Sequence, residues 1–503
     1  MSRMTVDPPI VRVPRQRGRA RPRPGLTTLV VGAGSAGRAL ARDLVRVSSF
    51  GLDPIGFLDD DPALQGTQVA RRRVLGTLDA LERVLEDTHT EVLVIAIPSL
   101  SPDEIQQIGA RAMACGVAVR HLPPFLSALQ REVAGTDMRA LQIRPLIGRA
   151  EMHVVSREAA RAITGKRVLV TGAGGSIGSE LCRQLQGFSP ESLVMLDHDE
   201  SNLHRLELEV TGQGLLDTDA TVVADVRDPG RIHQVFREHR PQIVFHAAAL
   251  KHLPVLERHP CEGVKSNVLG THHLVDAAIA HRVEKLVLIS TDKAADPTSV
   301  LGATKRLAEM VLSDHRTEAT ALASVRFGNV LGSRGSLLHV IKQQLASGRP
   351  ITVTHPEVTR YFMTVEEAVG LVIEAARMAE GAGTFVLDMG EPVRIVDVVE
   401  RFAEMLNARP AQIEFTGLRA GEKLHEELFG AREDVVPTNH ARIARSCPAT
   451  TSAWFRARLL DLYDAAEHNR ADEVRQHLRA LVPEYAPSQA RRPVAFAPYP
   501  DDY

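Results

Sequence analysis

Residues 167–183, Arg-Val-Leu-Val-Thr-Gly-Ala-Gly-Gly-Ser-Ile-Gly-Ser-Glu-Leu-Cys-Arg, constrain the fold more than any other stretch of the chain. A β-branched apolar run, Val168 to Val170, reads as a buried strand. It leads through Thr171 to Gly172, Gly174, Gly175 and Gly178, with Ser176 and Ile177 opening an apolar-periodic helix. Glycines allow the tight turn and the close approach of main chain to a pyrophosphate. The helix start offers N–H groups and the positive end of its dipole to the same phosphates. The next apolar run, Ser192 to Asp197, ends in a carboxylate 19 residues after Gly178. An acid there hydrogen-bonds a ribose 2′-hydroxyl and repels a 2′-phosphate. Strand, loop, helix and acid together predict a dinucleotide site that prefers NAD to NADP; the competing reading is a glycine turn with no ligand.

At 503 residues, the chain is long enough for two or three domains. A net charge of −2 and a pI near 6.9 give no overall field that would attract nucleic acid, and none is expected as a partner. Cys115, Cys182, Cys261 and Cys447 have no metal-ligand spacing and read as small thiols in a reducing cytosol, so no metal is expected. No apolar run reaches the roughly 18 residues of a membrane span, and no signal peptide precedes the first strand. A cytoplasmic protein is expected. Residues 1–25 stand apart: Arg12, Arg15, Arg17, Arg19, Arg21 and Arg23 alternate with prolines and small residues. Such a segment reads as a disordered basic arm, with weak contact to an anionic membrane surface as the alternative.

The pattern from 26 to 135 is α/β. Leu29–Val31 reads as a strand, then Gly32-x-Gly34-x-x-Gly37 opens a helix, and a strand from Ile55 to Leu58 ends in Asp59. A buried strand follows at Val92–Ile97, a helix at Pro102–Ala114 and a strand at Val117–Leu122. The glycines and Asp59 repeat the dinucleotide logic, so this unit is either a second nucleotide site or a degenerate domain used for packing. Residues 136–165 read as a connector ending in a helix at Arg157–Ile163. Six strands then alternate with helices: Val168–Val170, Leu193–Leu196, Thr221–Ala224, Ile243–His246, Lys285–Ser290 and Ala323–Arg326. The predicted fold class is thus α/β, with two Rossmann-like doubly wound parallel sheets. The alternation loosens after 327, which suits a small substrate lobe within a domain spanning 166–487. Helices are expected at Glu367–Met378, Val396–Leu406, Trp454–Leu462 and Ala471–Leu481, before a tail at 488–503.

Ligands of such sheets sit beyond the carboxyl ends of the strands. The third strand is followed by Asp225 and Val226, and Asp225 could hydrogen-bond an adenine amino group. The fourth ends His246-Ala247-Ala248, small residues against which a cofactor can lie, before Lys251 and His252. The fifth ends Ser290-Thr291-Asp292-Lys293, and the helix after it carries Leu301 and Lys305. The sixth ends Arg326-Phe327-Gly328-Asn329.

From Lys166 to about Pro487, the chain resembles an extended short-chain dehydrogenase/reductase. More narrowly, it resembles the polysaccharide-biosynthesis nucleotide-sugar 4,6-dehydratases that act on UDP-N-acetylglucosamine. The resemblance rests on TGAGGSIGSELCRQL (171–185), FHAAALKHLPVLE (245–257), SNVLGT (266–271), STDKAADPTSVLGATKR (290–306), VRFGNVLGSRGS (325–336), TRYFMTVEEA (359–368) and GLRAGEKLHEEL (417–428). The unit before it, with IGFLDDDP and VLGTLD, is similar to the α/β domain of that family's larger members. Those usually carry transmembrane helices ahead of it, where this chain has the basic arm.

Extended members usually present Tyr-x-x-x-Lys with the tyrosine as acid/base. Here Lys305 is present and Leu301 takes the tyrosine position. Loss of an acid/base group costs about 10²–10⁴-fold, or roughly 3–5 kcal/mol of barrier, which disfavours a simple C4 epimerase. The family's larger members also lack the tyrosine. The resemblance implies Lys293 as base at C5 of the sugar, Asp292 as acid at C6, and Lys305 on the nicotinamide ribose, with Thr291, directly or through water, as the candidate for the C4 hydroxyl proton. It places Lys251 near cofactor and sugar. Asn329, Arg334, Arg360, Arg419 and Glu422 fit a diphosphate and uridine site, arginine giving bidentate phosphate contacts. The implied function is an NAD-dependent UDP-sugar 4,6-dehydratase in surface polysaccharide synthesis, expected as a homo-oligomer. A nucleotide-sugar epimerase, a 5-inverting dehydratase and a silent nucleotide-sugar-binding scaffold are the alternatives.

Overall fold

The computed structural model describes residues 26–46, 52–97, 100, 102–121, 139–140, 155–211, 218–315, 317, 319–331, 337–405, 412–447 and 451–488. The basic arm, the tail beyond Ser488 and Arg334 lie outside the described residues.

In the larger α/β unit the strands are apolar on both sides, as a parallel sheet covered by helices requires. Side chains alternate between its faces. Val168, Val170, Met195, Phe245 and Val287 enter one core cluster, which includes residues of the helices Ser176–Gln186 and Val365–Met378. Leu169, Val194, Leu196, Val244 and Leu286 enter the other, shared with the helices Pro229–His239 and Gly270–Ala280. Local signals set the helix starts. Asp228 accepts from Arg231 N–H ahead of Pro229, and Ser299 caps Val300–Asp314 through Gly302 N–H.

Strand order is Thr221–Val223, Ser192–Asp197, Arg167–Thr171, Ile243–His246, Lys285–Ile289, Ala321–Arg326, Gly383–Leu387, Ile443–Cys447, Asp434–Pro437. The first seven run parallel, and Ile443–Cys447 pairs antiparallel with both Gly383–Leu387 and Asp434–Pro437. The order reverses between Arg167–Thr171 and Ile243–His246, which opens a ligand crevice at their carboxyl ends. The six expected strands are all there. The difference lies after 327, where three further strands rejoin the main sheet. Only part of that region forms a separate lobe, built of three two-stranded sheets around Phe362, Val398 and Val399.

The unit at the amino-terminal side holds a seven-stranded sheet with a parallel centre, including Leu26–Val31, Leu52–Leu58 and Val92–Ile95. Its last strand, Arg139–Ala140, lies within the stretch read as connector and pairs with Ala118–His121. Cys115, Cys182 and Cys261 are free thiols. No helix among the described residues is long and apolar enough to cross a membrane.

A buried ionic network joins the main sheet to the carboxyl-terminal part of the chain. Arg326 is fully buried and donates to Glu309 at 2.6 and 2.7 Å and to Glu433 at 2.7 and 2.8 Å. Arg306 adds contacts to Glu433 at 3.2 Å and Glu484 at 2.7 Å.

Candidate active site

The glycine loop spans the crevice. Gly172 has φ +66°, and a Cβ on it would lie 2.5–2.7 Å from main-chain atoms of Ala247 and Ala248. Only glycine lets these two strand ends approach so closely. Gly175 begins the helix Ser176–Gln186 with no side-chain cap. Asp197 is buried beside the loop; its Oδ2 accepts from Gly174 N–H at 2.9 Å and its Oδ1 from Asp199 N–H at 3.0 Å. The cradle, the uncapped helix and the acid fit a dinucleotide. Asp225 is half-exposed and accepts from Arg227 N–H at 2.9 Å, while Val226 is buried against Gly270. In the amino-terminal unit, Ala33 N–H reaches Asp59 at 2.6 Å, the same loop-to-acid bond.

Two buried bases lie beneath the crevice. His246 is fully buried between Thr171 Oγ1 at 2.8 Å and Thr271 Oγ1 at 3.0 Å. Burial, helped by the Lys305 charge, lowers its pKa to about 3, so the ring is neutral. Lys305 donates to the carbonyl of Ile289 at 2.9 Å, and burial brings its pKa down to about 8 against the opposing pull of Glu309. Leu301 is buried in an apolar cluster shared with the terminal helices Phe455–Glu467 and Ala471–Leu481, so its position holds no polar group.

Thr291, Asp292 and Lys293 leave the strand Lys285–Ile289 in a single 3₁₀ turn over Asp292–Ala294. Gly302 permits this: a Cβ there would lie 2.2 Å from the Lys293 carbonyl oxygen. Asp292 is completely buried. Its Oδ1 accepts from Thr291 Oγ1 and from Lys293 Nζ, both at 2.9 Å, while its Oδ2 has no partner. Lys293 Nζ also donates to Asn329 Oδ1 at 3.1 Å and lies 3.5 Å from Glu426 Oε1. Burial works against the ammonium, but Asp292 and Glu426 outweigh it and raise the Lys293 pKa. Lys293 is therefore charged at rest.

Glu426 links this group to the second predicted set. Arg360 Nε lies 3.8 Å from Glu426, and Arg360 Nη2 donates to Glu422 at 3.1 Å. Glu422 also accepts from Arg419 N–H at 3.2 Å, while the Arg419 side chain is exposed. Thus Asp292, Lys293, Asn329, Arg360 and Glu422 come together, and Arg419 joins through its main chain. Lys251 sits exposed on the loop after Ile243–His246. Asn267 staples that loop, with bonds to both main-chain groups of Leu250 and to Thr304 Oγ1 at 2.9–3.1 Å. Asn267 lies in a π-helical turn, Val264–Leu269, a distortion frequent at functional sites.

Sequence reasoning did not single out Glu426, Asn267 or His246. All three lie inside motifs quoted above, so their position was available; their partners were not. Glu426 Oε2, like Asp292 Oδ2, is buried without a partner.

The family model "Polysaccharide biosynthesis protein" matches residues 168–448. The probable polysaccharide biosynthesis protein EpsC of Bacillus subtilis is 40% identical over 409 residues, covering 80% of this chain and 68% of that protein. The capsular polysaccharide biosynthesis protein CapD of Staphylococcus aureus is 40% identical over 412 residues, with 81% and 69% covered. A UDP-N-acetylglucosamine 4,6-dehydratase (inverting) of Campylobacter jejuni is 31% identical over 273 residues, with 53% and 78% covered. Among solved structures, Pen from Bacillus thuringiensis is similar with a TM-score of 0.53 and 32% identity, over 58% of this chain and 89% of that one. The chain belongs to the polysaccharide biosynthesis family of nucleotide-sugar dehydratase- and epimerase-like short-chain dehydrogenase/reductase proteins.

Proposed function

We propose that the chain is a cytoplasmic UDP-sugar 4,6-dehydratase that keeps NAD bound and converts UDP-N-acetylglucosamine to its 4-keto-6-deoxy derivative. The observation that carries this reading is the Thr291-Asp292-Lys293 turn at the crevice, with apolar Leu301 where a catalytic phenol would stand. The Campylobacter relative named for this reaction supports the sugar. Bound NAD would accept a hydride from C4 and return it at C6.

The residues supply the proton chemistry. The Thr291 hydroxyl already donates to Asp292, so a proton leaving the C4 hydroxyl has a route to that carboxylate. Asp292, now neutral, can protonate the departing C6 hydroxyl. Its neutralisation also removes a charge that holds the Lys293 proton. Lys293 can then pass that proton to Glu426, 3.5 Å away, take the C5 proton as base, and return a proton to C5 when hydride adds at C6, after which Glu426 gives its proton back. Arg360, Asn329, Arg419 and Glu422 would border the nucleotide diphosphate, with Arg334 from outside the described residues.

Incubation of purified protein with UDP-N-acetylglucosamine should give a product lighter by one water in mass spectrometry. Absence of water loss from any UDP-hexose would reject the reading. NMR of the product reports whether C5 is inverted, as in the reaction named for the Campylobacter relative.

A further inference from the structure

On the helix Gly270–Ala280, His272 and Asp276 are four residues apart and so share one face. Beside them stands His315, which ends the helix Val300–Asp314. His272 Nε2 lies 3.6 Å from one Asp276 oxygen and His315 Nε2 lies 3.8 Å from the other. One donor atom from each residue falls within 4.8 Å of the others. The two rings are 4.9 Å apart and tilted by 60°, so both ring edges converge on the carboxylate.

We infer that His272, Asp276 and His315 form a binding site for one divalent transition-metal ion of the zinc class. Two imidazoles and a carboxylate, with water as a fourth ligand, are a donor set suited to zinc. Tetrahedral bonds of about 2.0–2.1 Å place donors roughly 3.3 Å apart, so a donor set now within 4.8 Å must close by up to about 1.5 Å, a movement open to the half-exposed Asp276 side chain.

The supporting contacts carry the inference further. His315 Nδ1 lies 2.9 Å from the carbonyl of Val311. A carbonyl only accepts, so Nδ1 holds the proton and Nε2 turns its lone pair to Asp276. His272 Nδ1 is held by the hydroxyl of Tyr463 at 3.0 Å, from the helix Phe455–Glu467. Ligating histidines are commonly fixed in this way through their second nitrogen. The bound ion would tie the Gly270–Ala280 helix to the Val300–Asp314 helix, away from the Asp292–Lys293 turn. Its role is to clamp the helices that stand behind Thr271 and Lys305, and it does not depend on the reading of the reaction.

The test uses the full chain stripped with chelator. Zinc binding is measured by dialysis and metal analysis, cobalt(II) coordination by visible absorption, and the thermal midpoint with and without zinc. The wild type should bind one zinc with a micromolar or lower Kd, show the intense bands of four-coordinate cobalt, and gain thermal stability. His315→Gln and Asp276→Asn should lose that equivalent or weaken it at least tenfold, and Tyr463→Phe should weaken it about tenfold. Each protein's zinc-induced shift is compared with its own metal-free form, so a variant of lower basal stability still reports. Equal zinc affinity in wild type and variants, or cobalt that stays six-coordinate, would overturn the assignment.

Discussion

His246 makes a direct link between burial and pH. Its imidazole is wholly enclosed, and its pKa falls from the ordinary 6.5 to about 3. The unfolded chain binds a proton there more readily than the folded one. The group therefore contributes its full stabilisation above pH 6.5 and loses it as pH falls towards 3. Between about pH 7.5 and about pH 5 the loss integrates to about 2 kcal/mol, or roughly thirtyfold in the folding equilibrium. The figure depends little on the folded value, because at about pH 5 the folded ring is still almost entirely neutral. His246→Phe keeps a ring of similar size and removes the proton. It forfeits the bonds to Thr171 and Thr271, a cost of about 1–3 kcal/mol that does not vary with pH. Urea unfolding of both proteins, followed by circular dichroism across this range, gives the difference directly. The wild-type advantage should shrink by about 2 kcal/mol on going to the acid end. Parallel stability curves would show that the ring is protonated in the fold and that the reasoning fails.

Gly172→Ala should weaken NAD binding at least tenfold and cost about 2 kcal/mol or more, since its Cβ meets the Ala247–Ala248 main chain at a positive φ; calorimetric titration with NAD and a melting curve check both. Asp292→Asn and Lys293→Ala should bind NAD as the wild type does yet turn over at least about 100-fold more slowly, measured by single-turnover mass spectrometry. Arg326→Met leaves Glu309 and Glu433 facing each other without their bidentate partner and should cost about 3–5 kcal/mol in chemical denaturation. A loss below about 1 kcal/mol would mean that the network is solvated.

The main sheet was legible because its signals are local. Val168–Val170 and the glycines after them specify a strand and a turn within a dozen residues, and in the structure Ser156 caps the helix Arg157–Ile163 that precedes them. The return of Gly383–Leu387, Ile443–Cys447 and Asp434–Pro437 to the same sheet was not legible. Gly383–Leu387 pairs with two segments each about 60 residues away, Asp434–Pro437 joins only as the hairpin partner of Ile443–Cys447, and nothing within each strand names its neighbour. The same holds at the site. Asp292 and Lys293 could be read because they are adjacent, whereas Glu426 becomes meaningful only when folding brings it against Lys293. The π turn at Val264–Leu269 carries the staple that Asn267 makes to Leu250, another contact that no helical periodicity encodes.

The arginine pair under the sheet also says what the end of the polypeptide is for. Arg306 and Arg326 share Glu309 within the fold's centre, and the remaining negative charge arrives from Glu433 and Glu484. Shortening the protein before those two acids would leave two guanidinium ions with one carboxylate in a dry interior. The carboxyl-terminal segment is in this sense a built-in counter-ion, and truncations meant to simplify the protein should be expected to unfold it.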